Sequence, residues 1–397
     1  MIAKYESIAD WLIVRASDHR DLRVLTDQLV VRLRDAGMPL HRLNLGVLAL
    51  HPEMAGYAVL WEDGMADAVE FPIRHEDTLK PTYLDSPIRF VVEEQESVDF
   101  RLDDPSHVES FPVLREFQDK GFTHYVGFPV PYGDNGRAVL TMCTRDASGF
   151  ALSEIEGVGR LFAVLSLLIN VAETKRLAQT VLRTYLGRET GERVLAGKIL
   201  RGEGERIQAA LWFCDLRRYT AMTAEIGSFP MIDVMNQYFD CMADAVWAEG
   251  GEILKFMGDA MLVVFRIDAD RSPVQAAQCA VRAAQGAQAS LRELSESRAS
   301  EGQLPLEAGI SVHLGSVVYG NIGARSRLDF TVMGHSVNVV ARIQSLTSTT
   351  GEPILFSSEV AEHWSNGCTP VGRHELKGVP EPVEVFKPLP SVEDADG

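Results

Sequence analysis

Two aspartates stand where a carboxylate has chemistry available to it. Asp215 ends the apolar run QAALWFCD (208–215). Asp259 follows 44 residues later, in a Gly-Asp pair between the apolar runs EILKFM and AMLVVF. Each alone has an ordinary role, an N-cap for Asp215 and a turn former for Asp259. Their surroundings weigh against that reading. Asp215 opens LRRYT (216–220), a strand-to-helix turn ending at Thr220 whose free backbone N–H groups suit phosphate oxygens. Lys255, in GGEILKFMG, shares strand parity with Asp259 and is expected on the same side of the hairpin. Two carboxylates able to share hard cations, beside a phosphate-holding turn, are the parts of a two-metal phosphoryl-transfer site.

The elements that must position them follow in a legible order. Strand 208–215 leads to a helix around 217–225, and a second helix follows Pro230 and stops at Gly250-Gly251. Two strands then meet at Gly258-Asp259. A helix starts at Ser272-Pro273, a good N-cap and first-turn pair, and runs to about Leu294; strand LEAGISVHLG (306–315) follows. This β-α-β-β-α-β order predicts an α+β fold, a ferredoxin-like sandwich with its helices on one face of an antiparallel sheet. DFTVMG, a helix over 336–346 and PILFSS complete the domain. Arg217 and Arg218 read as solvated surface or as an attraction for triphosphate, and His313, on an apolar strand, as a core histidine.

Three segments, WFCDLRRYT, GGEILKFMGDAMLVVF and FTVMGHSVNVVARI, in that order and spacing, resemble the catalytic domain of class III nucleotidyl cyclases over about residues 207–388. The resemblance implies that Asp215 and Asp259 bind two divalent ions, Mg²⁺ or Mn²⁺. It implies that Lys255 and Thr331 read the purine edge, that Asn338 orients the ribose, and that Arg342 neutralises charge in the transition state. Thr220 and Lys377, the latter in ELKGVPEPVEVF, are implied as further substrate contacts. The site would lie between two chains of a homodimer, with Asp215 and Asp259 from one chain and Lys255, Thr331, Asn338, Arg342 and Lys377 from the other. A lysine donates to adenine N1, whereas guanine N1 carries a proton and wants an acceptor, so ATP is the expected substrate and cyclic AMP the product. A guanylate cyclase is the alternative within the enzyme class; a non-catalytic nucleotide-binding or dimerisation module is the alternative outside it. His335 stands where relatives often have an acid, and Tyr219 where phenylalanine is common.

The first part of the chain has a different texture. GFPVPYGDNGRAVLTMCT (127–144) reads as two strands around a Gly-Asp-Asn-Gly turn. A continuous helix is predicted over 153–186, capped by a Ser153–Glu156 box, with a broad apolar stripe from Val158 to Leu182; packing against the first domain explains part of it, and parallel pairing with a second copy is the sharper reading. Residues 187–206 are polar and glycine-rich and read as a hinge. The texture over about 20–172 resembles a GAF domain, which implies a regulatory role and an unidentified small-molecule ligand. The expected division is 1–152 GAF-like, 153–206 signalling helix and hinge, 207–388 catalytic, and 389–397 a disordered tail.

Bulk composition narrows the partners. The 397 residues are 46% hydrophobic and 24% charged, with a net charge of −18 that argues against a nucleic-acid partner. Five scattered cysteines without a CxxC pair suit a reducing cytoplasm. The N-terminus has no signal-peptide pattern, and the longest apolar stretch, 161–169, falls short of the roughly 20 residues of a membrane helix, so no membrane insertion is expected.

Overall fold

A computed structural model describes residues 2–14, 21–49 and 54–389. The chain falls into two units, Met1–Val181 and Leu182–Gly397. The tail expected over 389–397 lies, from 390 onward, outside the described residues.

In the first unit, α1 (Ile2–Val14) and α2 (Leu22–Asp35) precede β1 (Arg42–Leu48), β2 (Met54–Glu62) and β3 (Val69–Arg74). Four short helices follow: α3 (Pro81–Leu84), α4 (Pro87–Glu94), α5 (Pro105–Val108) and α6 (Pro112–Asp119), with β4 (Val98–Arg101) between α4 and α5. Each starts on a proline, which loses nothing at a first-turn position because that N–H has no helical partner. The hairpin expected at 127–144 forms as β5 (His124–Tyr132) and β6 (Gly136–Thr144). All strand pairs are antiparallel, and the order is β3-β2-β1-β6-β5-β4. One face packs on Leu12, Leu25 and Leu33 of the first two helices; the other carries Val91, Val108 and Leu114 of the short ones.

The helix predicted over 153–186 is broken. It forms as α7 (Leu152–Gly159) and α8 (Phe162–Leu186), bent by 43°. Gly157 and Gly159, poor helix formers, weaken the last turn, where the Arg160 N–H is shared between the Glu156 and Gly157 carbonyls. The cap also differs: Ala151 precedes the helix, and Glu154, not Glu156, accepts its N–H at 2.8 Å. The first half of the apolar stripe, Val158, Leu161, Leu165, Leu168 and Ile169, is core of the first unit. Pairing with a second copy is therefore not what covers it; Leu177 and Val181 further on are exposed. No single helix among the described residues is long and apolar enough to cross a membrane.

The second unit opens with a further difference. The segment read as a hinge contains α9 (Arg188–Leu195), with Thr190 and Gly191 buried. Then come β7 (Gly204–Leu216), α10 (Tyr219–Ile226), α11 (Ser228–Ala248), β8 (Glu252–Met257), β9 (Ala260–Ile267) and α12 (Pro273–Ser300). The chain continues through β10 (Ala308–Ala324), β11 (Arg327–Met333), α13 (His335–Thr350), β12 (Ile354–Ser357), α14 (Ser358–Ala361), β13 (Cys368–His374) and β14 (Val383–Pro388). The central order β10-β7-β9-β8 is that of the expected β-α-β-β-α-β sandwich, extended by β12, β14 and β13, with β11 folded back on β10. Side-chain alternation decides which helix lies where. Trp212 and Cys214 of β7 pack with Tyr238 of α11 and Ala280 of α12. Ala209 and Leu211, one residue out of phase, pack on the opposite face with Val340 of α13. The helices thus lie on both faces, not one. Glycine at 309 permits the close approach of α13, since a Cβ there would meet Thr347 Oγ1 at 1.9 Å.

Candidate active site

Asp215 and Asp259 come together because β7 and β9 are neighbours. Asp215 is paired with Ala260, directly after the β8–β9 turn, and the Leu216 N–H donates to the Asp259 carbonyl at 3.3 Å. Burial pushes the Asp215 carboxyl up to about 7, and the adjoining Asp259 carboxyl adds to the rise. One oxygen of Asp215 is fully buried with no hydrogen-bond partner among the described residues. On the α11 side of the strand the neighbouring Cys214 accepts from Tyr238 Oη at 3.1 Å.

A paired, partly desolvated dicarboxylate with an unmet acceptor suits a divalent cation. Among the described residues no group of three or more His, Cys, Asp or Glu side chains could hold a metal. Mg²⁺ commonly binds through one or two carboxylates with substrate phosphates and water completing its shell, and the donor set here fits that pattern.

A second group forms between β8 and β11. Lys255 is paired with Leu262, a residue of the α13-side core, and its Nζ lies 3.4 Å from Asp329 Oδ2 on β11. Thr331, two residues along β11 and so on the same face as Asp329, is buried, and its hydroxyl has no hydrogen-bond partner among the described residues. Sequence reasoning singled out Lys255 and Thr331 but missed Asp329. The alternation of β11 around Phe330 and Val332 was the available signal.

Asn338 and Arg342 lie one turn apart on α13, both exposed, while Val339, Val340 and Ile343 fill the core. Thr220 is exposed in the first turn of α10, and Lys377 is exposed between β13 and β14. No hydrogen bond or ion pair among the described residues joins any of these four to Asp215 or Asp259. One chain thus assembles the aspartate pair and the Lys255–Asp329–Thr331 group and leaves the other candidates facing outward.

Arg217 is not available to a triphosphate. Its guanidinium donates to the Thr347 and Glu352 carbonyls at 2.9 and 3.1 Å and pairs with Glu307 at 3.6 Å, tying the end of β7 to the C-terminus of α13. Arg218 is exposed in the left-handed region, φ 62°. His313 is a core histidine as expected, bonded to Ser357 Oγ at 2.8 Å, and burial lowers its pKa.

Similarity to known proteins is concentrated in the second unit. Residues 204–387 match the adenylate and guanylate cyclase catalytic domain. An adenylate cyclase of Anabaena cylindrica is 33% identical over 168 residues, covering 41% of this chain and 32% of its own length. The chain spans about a third of the length of the curated relatives it matches. The adenylyl cyclase CyaB from P. aeruginosa is 27% identical, covering 48% of this chain and 98% of that structure, with a TM-score of 0.45. The guanylyl cyclase Cya2 is 32% identical, covering 49% and 97%, with a TM-score of 0.41. The names include both nucleotide preferences. Residues 204–387 of this chain belong to the adenylate and guanylate cyclase catalytic-domain family.

Proposed function

We propose that the chain converts ATP into 3′,5′-cyclic AMP and pyrophosphate, at sites built between two copies and regulated by the first unit. The observation that carries this is the Asp215–Asp259 pair, with its raised proton affinity and unmet carboxylate oxygen. A divalent cation bound there, Mg²⁺ or Mn²⁺, would neutralise triphosphate charge and lower the pKa of a hydroxyl bound to it. The side chains supply position and charge. Lys255 presents an ammonium to adenine N1. The Thr331 hydroxyl, buried without a partner, is free to accept from the 6-amino group. Asp329 holds the lysine from behind. Asn338 would hold the ribose, and Arg342, a planar multi-donor fork, suits charge developing on equatorial phosphate oxygens. Thr220 and Lys377 would contact the phosphates.

Two copies are invoked because Asn338, Arg342 and Lys377 face outward, unjoined to the aspartates of their own chain. A two-fold arrangement would bring them to the partner's pair. For the first unit, the sheet order and the cover on both faces support a GAF-like module over about 20–172. A cavity of about 420 Å³, lined by Tyr57, Glu70, Glu173 and Arg176, is where a small ligand would reach α8. Five free cysteines suit a reducing cytoplasm.

The test is kcat/KM for ATP and GTP on the purified chain with each metal. Preference for ATP by about tenfold or more is expected, since a mismatched donor in a base pocket is costly. Preference for GTP would overturn the base assignment; no cyclic product from either would favour a non-catalytic nucleotide-binding module.

A further inference from the structure

We infer that α9 is a lock on the catalytic sheet, in which Thr190, Glu252 and Tyr319 act as positioning residues that set the placement of Lys255 for nucleotide binding. The inference rests on the reading of Lys255 as a purine contact. The chain leaving α8 at Leu186 turns at Gly187, φ 84°, where a Cβ would lie 3.0 Å from the Ile253 carbonyl oxygen, so α9 starts directly against β8. The buried Thr190 then donates its N–H and its hydroxyl to Glu252 Oε1 at 3.1 and 3.2 Å. Tyr319 Oη, on β10, lies 3.1 Å from both oxygens of Glu252 and 2.9 Å from Thr190 Oγ1. Three elements therefore meet at one carboxyl.

The charged groups around it close the lock. Glu189 and Glu205 are each bridged by both Arg193 and Arg266, at 2.7–3.2 Å, and the Arg193 guanidinium lies 4.9 Å from the centre of the Tyr319 ring. Burial, with the nearby Glu189 carboxylate, raises Glu252 to about 7. Lifting α9 would leave that carboxyl half-satisfied in a desolvated place, so docking of α9 and the setting of Glu252 go together.

The consequence for the site comes through the strand. Glu252 opens β8 opposite Val264, and the pairing slips between Ile253 and Lys255. Such a bulge re-aims the side chain that follows it, which here is Lys255. Because α9 directly follows α8, a change at the end of α8 reaches the purine contact through three residues of strand.

The experiment uses the full chain and the variants Glu252→Ala, Glu252→Gln, Thr190→Val and Tyr319→Phe. Gln keeps an acceptor for Thr190 and Tyr319; Ala keeps none. A base contact made equally in ground and transition states changes KM, so Glu252→Ala should raise KM for ATP about tenfold with kcat within about threefold. Glu252→Gln should return KM to within about threefold of wild type, and Thr190→Val should add little to Glu252→Ala in the double variant. Amide exchange over residues 190–194 should quicken in Glu252→Ala, which reads docking without reference to turnover. Faster exchange with an unchanged KM, or a loss confined to kcat, would overturn the link to Lys255. If the wild-type chain makes no cyclic nucleotide, the cyclase reading fails by itself; ATP binding by calorimetry then decides, and an unchanged Kd in Glu252→Ala overturns the lock.

Discussion

Replacing Asp215 with asparagine should make the metal-free protein more stable, and the gain should grow with pH in a defined window. The folded chain holds a proton on Asp215 up to about pH 7, whereas the unfolded chain loses it near 3.8. A carboxyl raised on folding contributes stability that is full below the unfolded value. It is lost progressively as pH rises to the folded value and is level above it. The relevant window is therefore about pH 4 to 7. Undiscounted, the rise corresponds to about 4 kcal/mol. The side chain is partly exposed, so about 1–2 kcal/mol is the expected size. The carboxamide of Asp215→Asn has the same shape and no charge to repel Asp259, so the gap between variant and wild type should widen by that amount from pH 4 to pH 7. For a unit of this length it appears as a shift of roughly 3–6 °C in the transition of the second unit. The assay is calorimetric unfolding in chelator at pH 4 and pH 8. Added Mn²⁺ should then stabilise wild type at pH 8 and leave the variant unmoved. A gap that stays constant with pH, or equal stabilisation of both proteins by metal, would refute the dicarboxylate account.

Three other expectations follow. Arg217→Ala should lower the stability of the second unit by about 1–3 kcal/mol, from two carbonyls left unpaired, as read by urea unfolding; a raised KM with no loss of stability would return Arg217 to the triphosphate. Lys255→Glu with Thr331→Cys should lower kcat/KM for ATP and raise relative use of GTP, and an unmoved ATP:GTP ratio would show that these residues do not read the base. Asp215→Ala and Arg342→Ala chains, each inactive, should recover about a quarter of wild-type sites when co-refolded with random exchange, because a hybrid dimer carries both lesions in one site and none in the other. No recovery despite demonstrated hybrids would mean that the site is built within one chain.

What could be read from the residues was the part written locally. Asp215 and Asp259 lie at ends of apolar runs whose alternation fixes strand identity, and the order of elements fixes which strands are neighbours. The break at Arg160–Leu161 was masked because the apolar stripe continues across it, although Gly157 and Gly159 just before it were legible as weak helix formers. Helix α9 was read as a hinge because its sequence is polar and glycine-flanked. Its stability comes from Glu252 and Tyr319, distant in sequence, and no local pattern reports a partner of that kind. The alternation of β11 sets Asp329 apart from its apolar neighbours, but its partner Lys255 is 74 residues away and the strand alone does not name it. The placement of α13 on the face opposite α11 and α12 depends on Gly309 making room for Thr347, a condition visible only once β10 and the helix are in contact.

The central claim is that this chain closes ATP into a 3′,5′-cyclic nucleotide at the Asp215–Asp259 pair. The most direct measurement is mass-spectrometric identification of the product from ATP with Mg²⁺ or Mn²⁺, made side by side on wild type, Asp215→Ala and Asp259→Ala, with urea unfolding as the control for folding. The account predicts cyclic AMP and pyrophosphate from wild type and no detectable product from either folded variant. Turnover near the wild-type rate in either variant, or no cyclic product from folded, metal-loaded wild type, would contradict it.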